Sequence, residues 1–435
     1  MRWRVGNALI SYVFYLGQSL CPSGLAACYP RRGPGLPVLT VSAAALILVG
    51  VTAAVFFCRR RFPYLAVGWL WYGVMLAPVI GIVQFGNQSE ADRFTYLAQI
   101  GLCIAAVWGV SDLCRCRSAR RWVCGVAAAS VLTVLTVCAW RQASFWRNSE
   151  ALWTRTLACT SRNSLAHNDL GIVLAERGRL DAAIEHCRQA VDIKPDYVKA
   201  YNNLGLVLTM RGRLDEGIEQ YRRALKLQPN FPEAHYNLAN ALAAKGKLDE
   251  AVAHYRKALD LRPAYAKAHC DLGNVLVTRG EFGEAEAHFR RALQSRPNFV
   301  EAHGNLAFLL LRQGQWAEAM DHYRKMLAIR PKDADTWSTL AWLLATCPED
   351  RLRNGALAIR FAKQARALSG ETPEALKSLA AAYAETGMFS KALDTARRAL
   401  EVADRENKQH LANTLSAEIR CYEAGTPLRS AVGKQ

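Results

Sequence analysis

The second half of the sequence repeats with a fixed period of 34 residues, and this period limits the possible folds more than any other feature. Three residue types recur at this step: Pro195, Pro229, Pro263, Pro297 and Pro331; Gly178, Gly212, Gly246, Gly280 and Gly314; Leu170, Leu204, Leu238, Leu272 and Leu306. A glycine lets the chain turn sharply at the end of a helix, whereas a proline cannot continue one. Each unit is therefore predicted to be a pair of helices, A and B, with the glycine between them and the proline after helix B.

This pattern resembles the tetratricopeptide repeat, a 34-residue helical hairpin. A small residue follows each leucine, so that the two helices can approach closely: Gly171, Gly205, Ala239, Gly273 and Ala307. The resemblance implies an α-solenoid, a right-handed superhelix of seven repeats over residues 164–406. A capping helix is predicted over 407–423, because a stacked array must end on a polar face, and a disordered tail over 424–435.

The first half of the chain is apolar and basic. Residues 1–163 contain sixteen arginines, no lysine and four acidic residues, a net charge of +12, which leaves only +6 for the remainder. Apolar stretches long enough to cross a bilayer predict about five transmembrane helices, over 5–21, 38–58, 63–84, 94–113 and 122–140. The predicted fold class is thus all-α, with a transmembrane helical bundle over 1–141, a linker helix over 142–163 and then the solenoid.

The arginine clusters predict how the membrane half is oriented. Arg59–Arg61 and the arginines within 115–121 fall on one side, which should be cytoplasmic, although Arg31 and Arg32 then lie on the other. The repeats are therefore expected in the periplasm, a lumen or the extracellular space. Basic residues used in this way do not predict nucleic-acid binding. Two alternatives remain open here: a lipoprotein signal ending at Cys28, and a disulfide between Cys21 and Cys28.

Four segments of the membrane half resemble the last part of the multispanning O-mannosyltransferase-like proteins that carry C-terminal tetratricopeptide repeats (the TMTC type, GT-C fold). They lie within residues 21–30, 63–72, 77–84 and 91–97. The resemblance implies a lipid-linked sugar as donor and a protein as acceptor. The family's N-terminal spans, with the acidic loop thought to carry its catalytic carboxylates, would precede residue 1.

Few residues outside the repeats could carry out glycosyl transfer, which needs a carboxylate to activate the acceptor hydroxyl. The acidic candidates are Glu90, Asp92, Asp112 and Glu150. Asp92 is the weak catalytic candidate, since a charge beside a span is costly and often functional. The alternative is an interfacial ion pair between Asp92 and Arg93. No cofactor is predicted.

A row of polar residues on helix A is the candidate peptide-binding site. It consists of Asp169, Asn203, Asn237, Asp271 and Asn305, each beside the buried leucine of its repeat. Amides at this position can bond the main chain of an extended peptide. The repeats resemble those of the O-GlcNAc transferase superhelix, in which an asparagine row holds substrate chains. The alternative is that these residues brace neighbouring hairpins.

Histidines also recur in two rows, but they do not predict a metal site. The first row is His167, His235, His269 and His303, and the second is His186, His254, His288 and His322. Residues at one position in successive repeats lie roughly 10 Å apart, whereas zinc ligands lie about 2 Å from the metal.

The functional expectation is a membrane-anchored scaffold that binds a protein or an extended peptide. The alternative is a truncated or split protein O-mannosyltransferase-like enzyme that uses a lipid-linked sugar.

Overall fold

In a computed structural model, the described residues are 2–20, 37–77, 96–114 and 118–430, and their regular structure is entirely helical. The chain divides into two units, Met1–Pro229 and Asn230–Gln435, which we treat separately. The prediction of an all-helical repeat protein is confirmed. Several predicted features lie outside the described residues: Asp92, both members of the possible Cys21–Cys28 disulfide, and the arginines at 115 and 117.

The first unit begins with five helices in the apolar half of the chain. They are α1 (Arg2–Leu20), α2 (Val38–Cys58), α3 (Pro63–Leu76), α4 (Tyr96–Cys114) and α5 (Ser118–Ser144). In the part of the chain that the structure describes, only α2 is long and apolar enough to cross a membrane, and shorter apolar stretches lie in α4 and α5. The bundle of five transmembrane helices is therefore not confirmed.

Helices α1, α3 and α4 share a small core. Tyr15, Tyr72 and Leu76 are fully buried in it. The hydroxyl of Tyr72 donates a hydrogen bond of 2.7 Å to the Tyr12 carbonyl oxygen, and the Tyr12 hydroxyl donates one of 2.7 Å to the Gly73 carbonyl oxygen. These tyrosines therefore bury their rings while their hydroxyls remain paired, as buried polar groups must.

A short connection joins the apolar half to the repeats. Helix α5 continues to Ser144, and α6 (Ser149–Cys159) follows after a turn. The Asn148 side chain caps α6 by accepting a hydrogen bond of 2.9 Å from the Ala151 amide. Glu150 pairs with Arg177 and, at 2.7 Å, with Arg179. This connection therefore contacts the first repeat through charged side chains.

The 34-residue repeats form helix pairs at the predicted positions. The first unit contains α7 (Ser164–Glu176), α8 (Leu180–Ile193), α9 (Val198–Met210) and α10 (Leu214–Leu227). The second contains α11 (Pro232–Ala244), α12 (Leu248–Leu261), α13 (Ala266–Thr278), α14 (Phe282–Ser295), α15 (Val300–Arg312) and α16 (Trp316–Ile329).

The turn from helix A to helix B depends on glycine. Gly212 has a φ of +84°, in the left-handed region that side chains rarely adopt. The Arg213 amide donates a hydrogen bond of 2.9 Å to the Leu208 carbonyl, and the Gly212 amide donates one of 3.0 Å to Thr209. These two bonds form a Schellman motif, which satisfies carbonyls that the end of α9 would otherwise leave unpaired. The periodic glycines therefore fix the hairpins.

The second unit ends with five further helices and a 3₁₀ turn. Residues 347–354, which interrupt the period, form a loop with the 3₁₀ turn between α17 (Ala334–Thr346) and α18 (Gly355–Ser369). The seventh pair is α19 (Pro373–Glu385) and α20 (Phe389–Arg405), and α21 (Gln409–Glu423) packs on α20.

The chain after α21 packs back onto the second unit up to Ser430, whereas the sequence predicted a disordered tail from 424 onward. The Ser430 amide donates a hydrogen bond of 2.8 Å to the carbonyl oxygen of Thr346. Arg429 pairs with Glu385 at 2.6 Å, and Leu428 packs on the core around Tyr422. These polar and apolar contacts order a segment whose composition alone suggested disorder.

Candidate functional site

The polar row on helix A occupies equivalent positions in five repeats. All five residues are half-buried, and each precedes a buried leucine: Asp169 and Asn203 in the first unit, Asn237, Asp271 and Asn305 in the second. Such positions are close enough to the core to be held in place, yet retain exposed polar atoms.

In the first unit, the row is connected by side-chain hydrogen bonds between successive A helices. The Asn203 amide nitrogen donates to the Asn168 oxygen at 2.9 Å, and the Asn168 nitrogen donates to Asp169 at 2.8 Å. Burial raises the pKa of Asp169, and this hydrogen bond opposes the shift. Asn168, which the sequence reasoning did not single out, therefore links two members of the row.

Similar bonds join neighbouring repeats in the second unit. The Tyr236 hydroxyl donates to Asp271 at 2.7 Å, and the Asn305 nitrogen donates to the Asn274 oxygen at 2.7 Å. Burial raises the pKa values of Asp271 and Tyr236. These contacts are those expected of a brace, and each uses only part of the hydrogen-bonding capacity of its residue, since a carboxylate or an amide offers several sites.

A cavity of about 720 Å³ lies along the A helices α11, α13 and α15 of the second unit, and we call it the groove. Two members of the polar row, Asp271 and Asn305, line it together with Tyr236 and Asn274. Its other lining residues include the basic Lys267, Arg296 and Arg330 and the acidic Glu301. Arg330 pairs with Glu301 at 3.2 Å. The groove thus combines hydrogen-bonding side chains with exposed charges, and two of the predicted site residues meet in it.

Two buried cysteines of the repeats, one in each unit, are poor nucleophiles. Burial raises the pKa of Cys270, which lines the groove, and that of Cys187 in the first unit, both to about 12. Because the thiolate rather than the thiol is the nucleophile, these side chains are inert at neutral pH.

The two histidine rows contact each other within repeats, which the sequence reasoning missed. The Nδ1 atoms of His167 and His186 lie 3.0 Å apart, and those of His269 and His288 lie 2.8 Å apart. The constant separation of 19 residues along the chain was the available signal. Among the described residues, no group of three or more histidine, cysteine or acidic side chains could hold a metal ion.

Comparison with protein families identifies the helix pairs. A family model described as TPR repeat matches residues 171–210, 207–246 and 239–278, and one described as tetratricopeptide repeat matches residues 270–334. Residues 171–334 are tetratricopeptide repeats. Tetratricopeptide-repeat proteins bind peptides or proteins in a groove.

Curated relatives also carry such repeats. Protein O-mannosyl-transferase Tmtc2 of Drosophila melanogaster is 28% identical over 119 residues, which are 27% of this chain and 12% of that protein. Protein O-mannosyl-transferase TMTC1 of Mus musculus is 26% identical over 206 residues, 44% of this chain and 21% of that protein. The similarity lies over the repeat region, so the resemblance of the four membrane-half segments to this type of protein stays a prediction.

Solved tetratricopeptide-repeat structures match the chain in part. A thermophilic TPR protein of Thermus thermophilus, TTC0263, is 27% identical, and the match covers 41% of this chain and 97% of that one with a TM-score of 0.36.

Proposed function

We propose that this chain is a membrane-anchored scaffold whose tetratricopeptide repeats bind an extended polypeptide. The groove carries this proposal, because Asp271, Asn305 and Tyr236 all line one space of about 720 Å³. The carboxylate and amide oxygens can accept hydrogen bonds from main-chain N–H groups, and the amide nitrogens can donate to carbonyls. Contacts of this kind ignore the peptide's side chains, so binding should be broad and weak.

The anchoring part of the proposal rests on α2. Leu39, Leu46, Val49 and Phe57 are each exposed by two-thirds or more, and Ala44 is the buried residue on this helix. A helix of 21 residues that is apolar on all sides and exposed to its surroundings is suited to lipid rather than to water. The exposed Arg59–Arg61 turn directly after it supports a cytoplasmic end there. The repeats would then lie on the other side of the membrane if the three later predicted spans, over 63–84, 94–113 and 122–140, also cross it.

Replacing Asn203, Asn237 and Asn305 together by alanine should weaken binding of an unfolded, Ser/Thr-rich polypeptide by roughly one to three orders of magnitude, since each neutral hydrogen bond contributes about 0.5–1.5 kcal/mol. The fold should remain, because the buried leucines and small residues are unchanged. Fluorescence anisotropy with the full chain in detergent micelles measures the affinity. Asn230→Ala, an exposed amide in the turn after α10, is the matched control.

Two outcomes would contradict this role for the row. If the triple variant unfolds, the row serves to hold neighbouring repeats together, through hydrogen bonds such as those from Asn203 and Asn305. If the variant folds and binds as tightly as the parent, residues other than these three asparagines hold the polypeptide.

A second candidate is a part of a protein O-mannosyltransferase, truncated or split. The names of the relatives Tmtc2 and TMTC1 favour it, and a polypeptide-binding groove would suit a protein acceptor. Mannose transfer from a lipid-linked donor by the purified chain, abolished by Asp92→Asn, would favour this candidate over the scaffold.

A further inference from the structure

Eight of the nine histidines in the chain form pairs, each joining helix A to helix B of one repeat. The Nδ1 atoms are 3.0 Å apart in the first and third repeats and 2.8 Å apart in the fourth and fifth: His167–His186, His235–His254, His269–His288 and His303–His322. The second repeat has Tyr201 and Gln220 at these positions. The chain therefore contains its own example of a repeat without the pair.

In the fourth and fifth repeats, the contacts of the Nε2 atoms show which ring nitrogen of His269 and His303 carries the hydrogen. His269 Nε2 lies 3.0 Å from the carbonyl oxygen of Pro263, and His303 Nε2 lies 2.8 Å from that of Pro297. A carbonyl can only accept, so these Nε2 atoms carry the hydrogen, and the Nδ1 of each neutral ring is an acceptor. The partner histidine then donates from its own Nδ1.

This arrangement cannot accommodate two charged rings. If both histidines of a pair are protonated, two N–H donors and two positive charges face each other at 2.8 Å in the fourth and fifth repeats. The histidines of these two repeats are only 5–7% exposed, so little water is available to replace the lost bond while the helices stay packed. His303 and His322 also line a cavity of about 600 Å³, which lets solvent reach that pair.

Nearby charged side chains shift the pKa values of these histidines in both directions: basic groups lower them and acidic groups raise them. Arg291 faces the fourth-repeat pair, opposed by Glu284, which lies 3.6 Å from His288.

Lys325 faces the fifth-repeat pair, opposed by Asp321 and by Glu318 at 4.0 Å from His322.

In the first repeat, Arg179 lowers the pKa of His186 and Glu185 raises it. Burial is the largest influence on these histidines: it lowers the pKa of His269, His288 and His303, and it lowers that of His322 to about 4.

We propose that the histidine pairs make the repeat array pH-responsive: at neutral pH each pair joins helix A to helix B, and acidification separates the two helices. Because the folded pKa values lie below the ordinary value of about 6.5, the unfolded chain takes up protons first as the pH falls. The stabilisation is therefore complete above about pH 6.5 and declines as the pH falls toward the folded values. Loosened hairpins would also release a polypeptide held between repeats.

The test compares thermal unfolding of the full chain in detergent at about pH 7.5 and about pH 5, below the ordinary histidine pKa. The key variant converts the last two pairs to the residues of the second repeat: His269→Tyr, His288→Gln, His303→Tyr and His322→Gln. We expect the parent's Tm to fall by roughly 10 °C on acidification and the variant's to fall by less than half of that. His410→Gln, at the exposed ninth histidine, should behave like the parent.

Equal losses of Tm in the parent and the four-substitution variant would overturn the proposal. If that variant does not fold at neutral pH, His303→Tyr with His322→Gln changes one repeat alone. The protection of the α15 and α16 amides against hydrogen exchange should then no longer fall on acidification. The protection of the α13 and α14 amides should still fall. If the protection of the α15 and α16 amides in this variant falls on acidification as it does in the parent, that result would also contradict the proposal. Neither readout involves polypeptide binding, so the result is independent of the proposed scaffold function.

Discussion

Gly273→Leu is expected to destabilise the fourth repeat by about 3–5 kcal/mol, because overpacking a close helix contact forces the helices apart. A Cβ atom on Gly273 would lie 2.5 Å from Cε1 of the fully buried Phe289 on α14. Alanine stands at the equivalent positions of the third and fifth repeats, Ala239 and Ala307, so leucine is the more informative substitution. Urea unfolding followed by hydrogen exchange of α13 and α14 measures the loss.

Gly283→Ala is the matched control for this prediction. Gly283 lies on the same helix as Phe289, is exposed, and has no atom within 4 Å of an added Cβ. Alanine there should stabilise the repeat by about 0.5–1 kcal/mol, because it lowers the entropy of the unfolded chain. A Gly273→Leu chain as stable as the parent would mean that helices A and B do not approach as closely as described.

Leu46→Arg combined with Val49→Arg should prevent α2 from crossing a membrane. Each arginine at the centre of a spanning helix costs about 2.5–3.5 kcal/mol, so the pair should reduce insertion by more than about a thousandfold. Protease sites introduced after Pro37 and after Arg60 report the result in sealed vesicles. In the parent, an added protease should cut only one of the two sites until detergent opens the vesicles.

In the arginine variant, the protease should cut both sites or neither before detergent is added, since both sites then lie on the same side of the vesicle membrane. Val38→Arg with Phe57→Arg is the control, because arginines at the two ends of the helix can extend to the interface. Equal cutting of both sites in the parent would contradict the proposal that α2 spans a membrane.

The sequence predicted the repeat helices well because their signals are local and periodic. Gly212 and its equivalents need left-handed backbone at the A–B turn, and the prolines end each helix B, so the hairpin boundaries follow from residue type alone. The apolar half was harder. Composition predicts apolar stretches, but it does not show which of them cross a membrane: among the described residues only α2 is long and apolar enough, and shorter apolar stretches lie in α4 and α5.

The site was only partly predictable, for a physical reason. A period identifies residues that share a face, but it does not identify the atoms of the neighbouring repeat that they meet. Asn203 bonds Asn168 and Asp271 bonds Tyr236, in each case 35 residues earlier, so the contacting position recurs while the residue type there differs. The histidine rows were likewise compared along the array, while their contacts run across each hairpin. Same-position spacing excluded a shared metal and said nothing about pairing.

The most direct test of a polypeptide-binding groove is to locate the bound polypeptide. A photo-crosslinking amino acid at Asn274, in the groove, should capture an unfolded Ser/Thr-rich polypeptide when the full chain is in lipid nanodiscs. The same amino acid at Lys257, exposed on helix B α12, should capture little. Unlabelled polypeptide should compete only at Asn274. Equal crosslinking at the two positions, or crosslinking at Lys257 alone, would contradict a scaffold that binds polypeptide along its A helices.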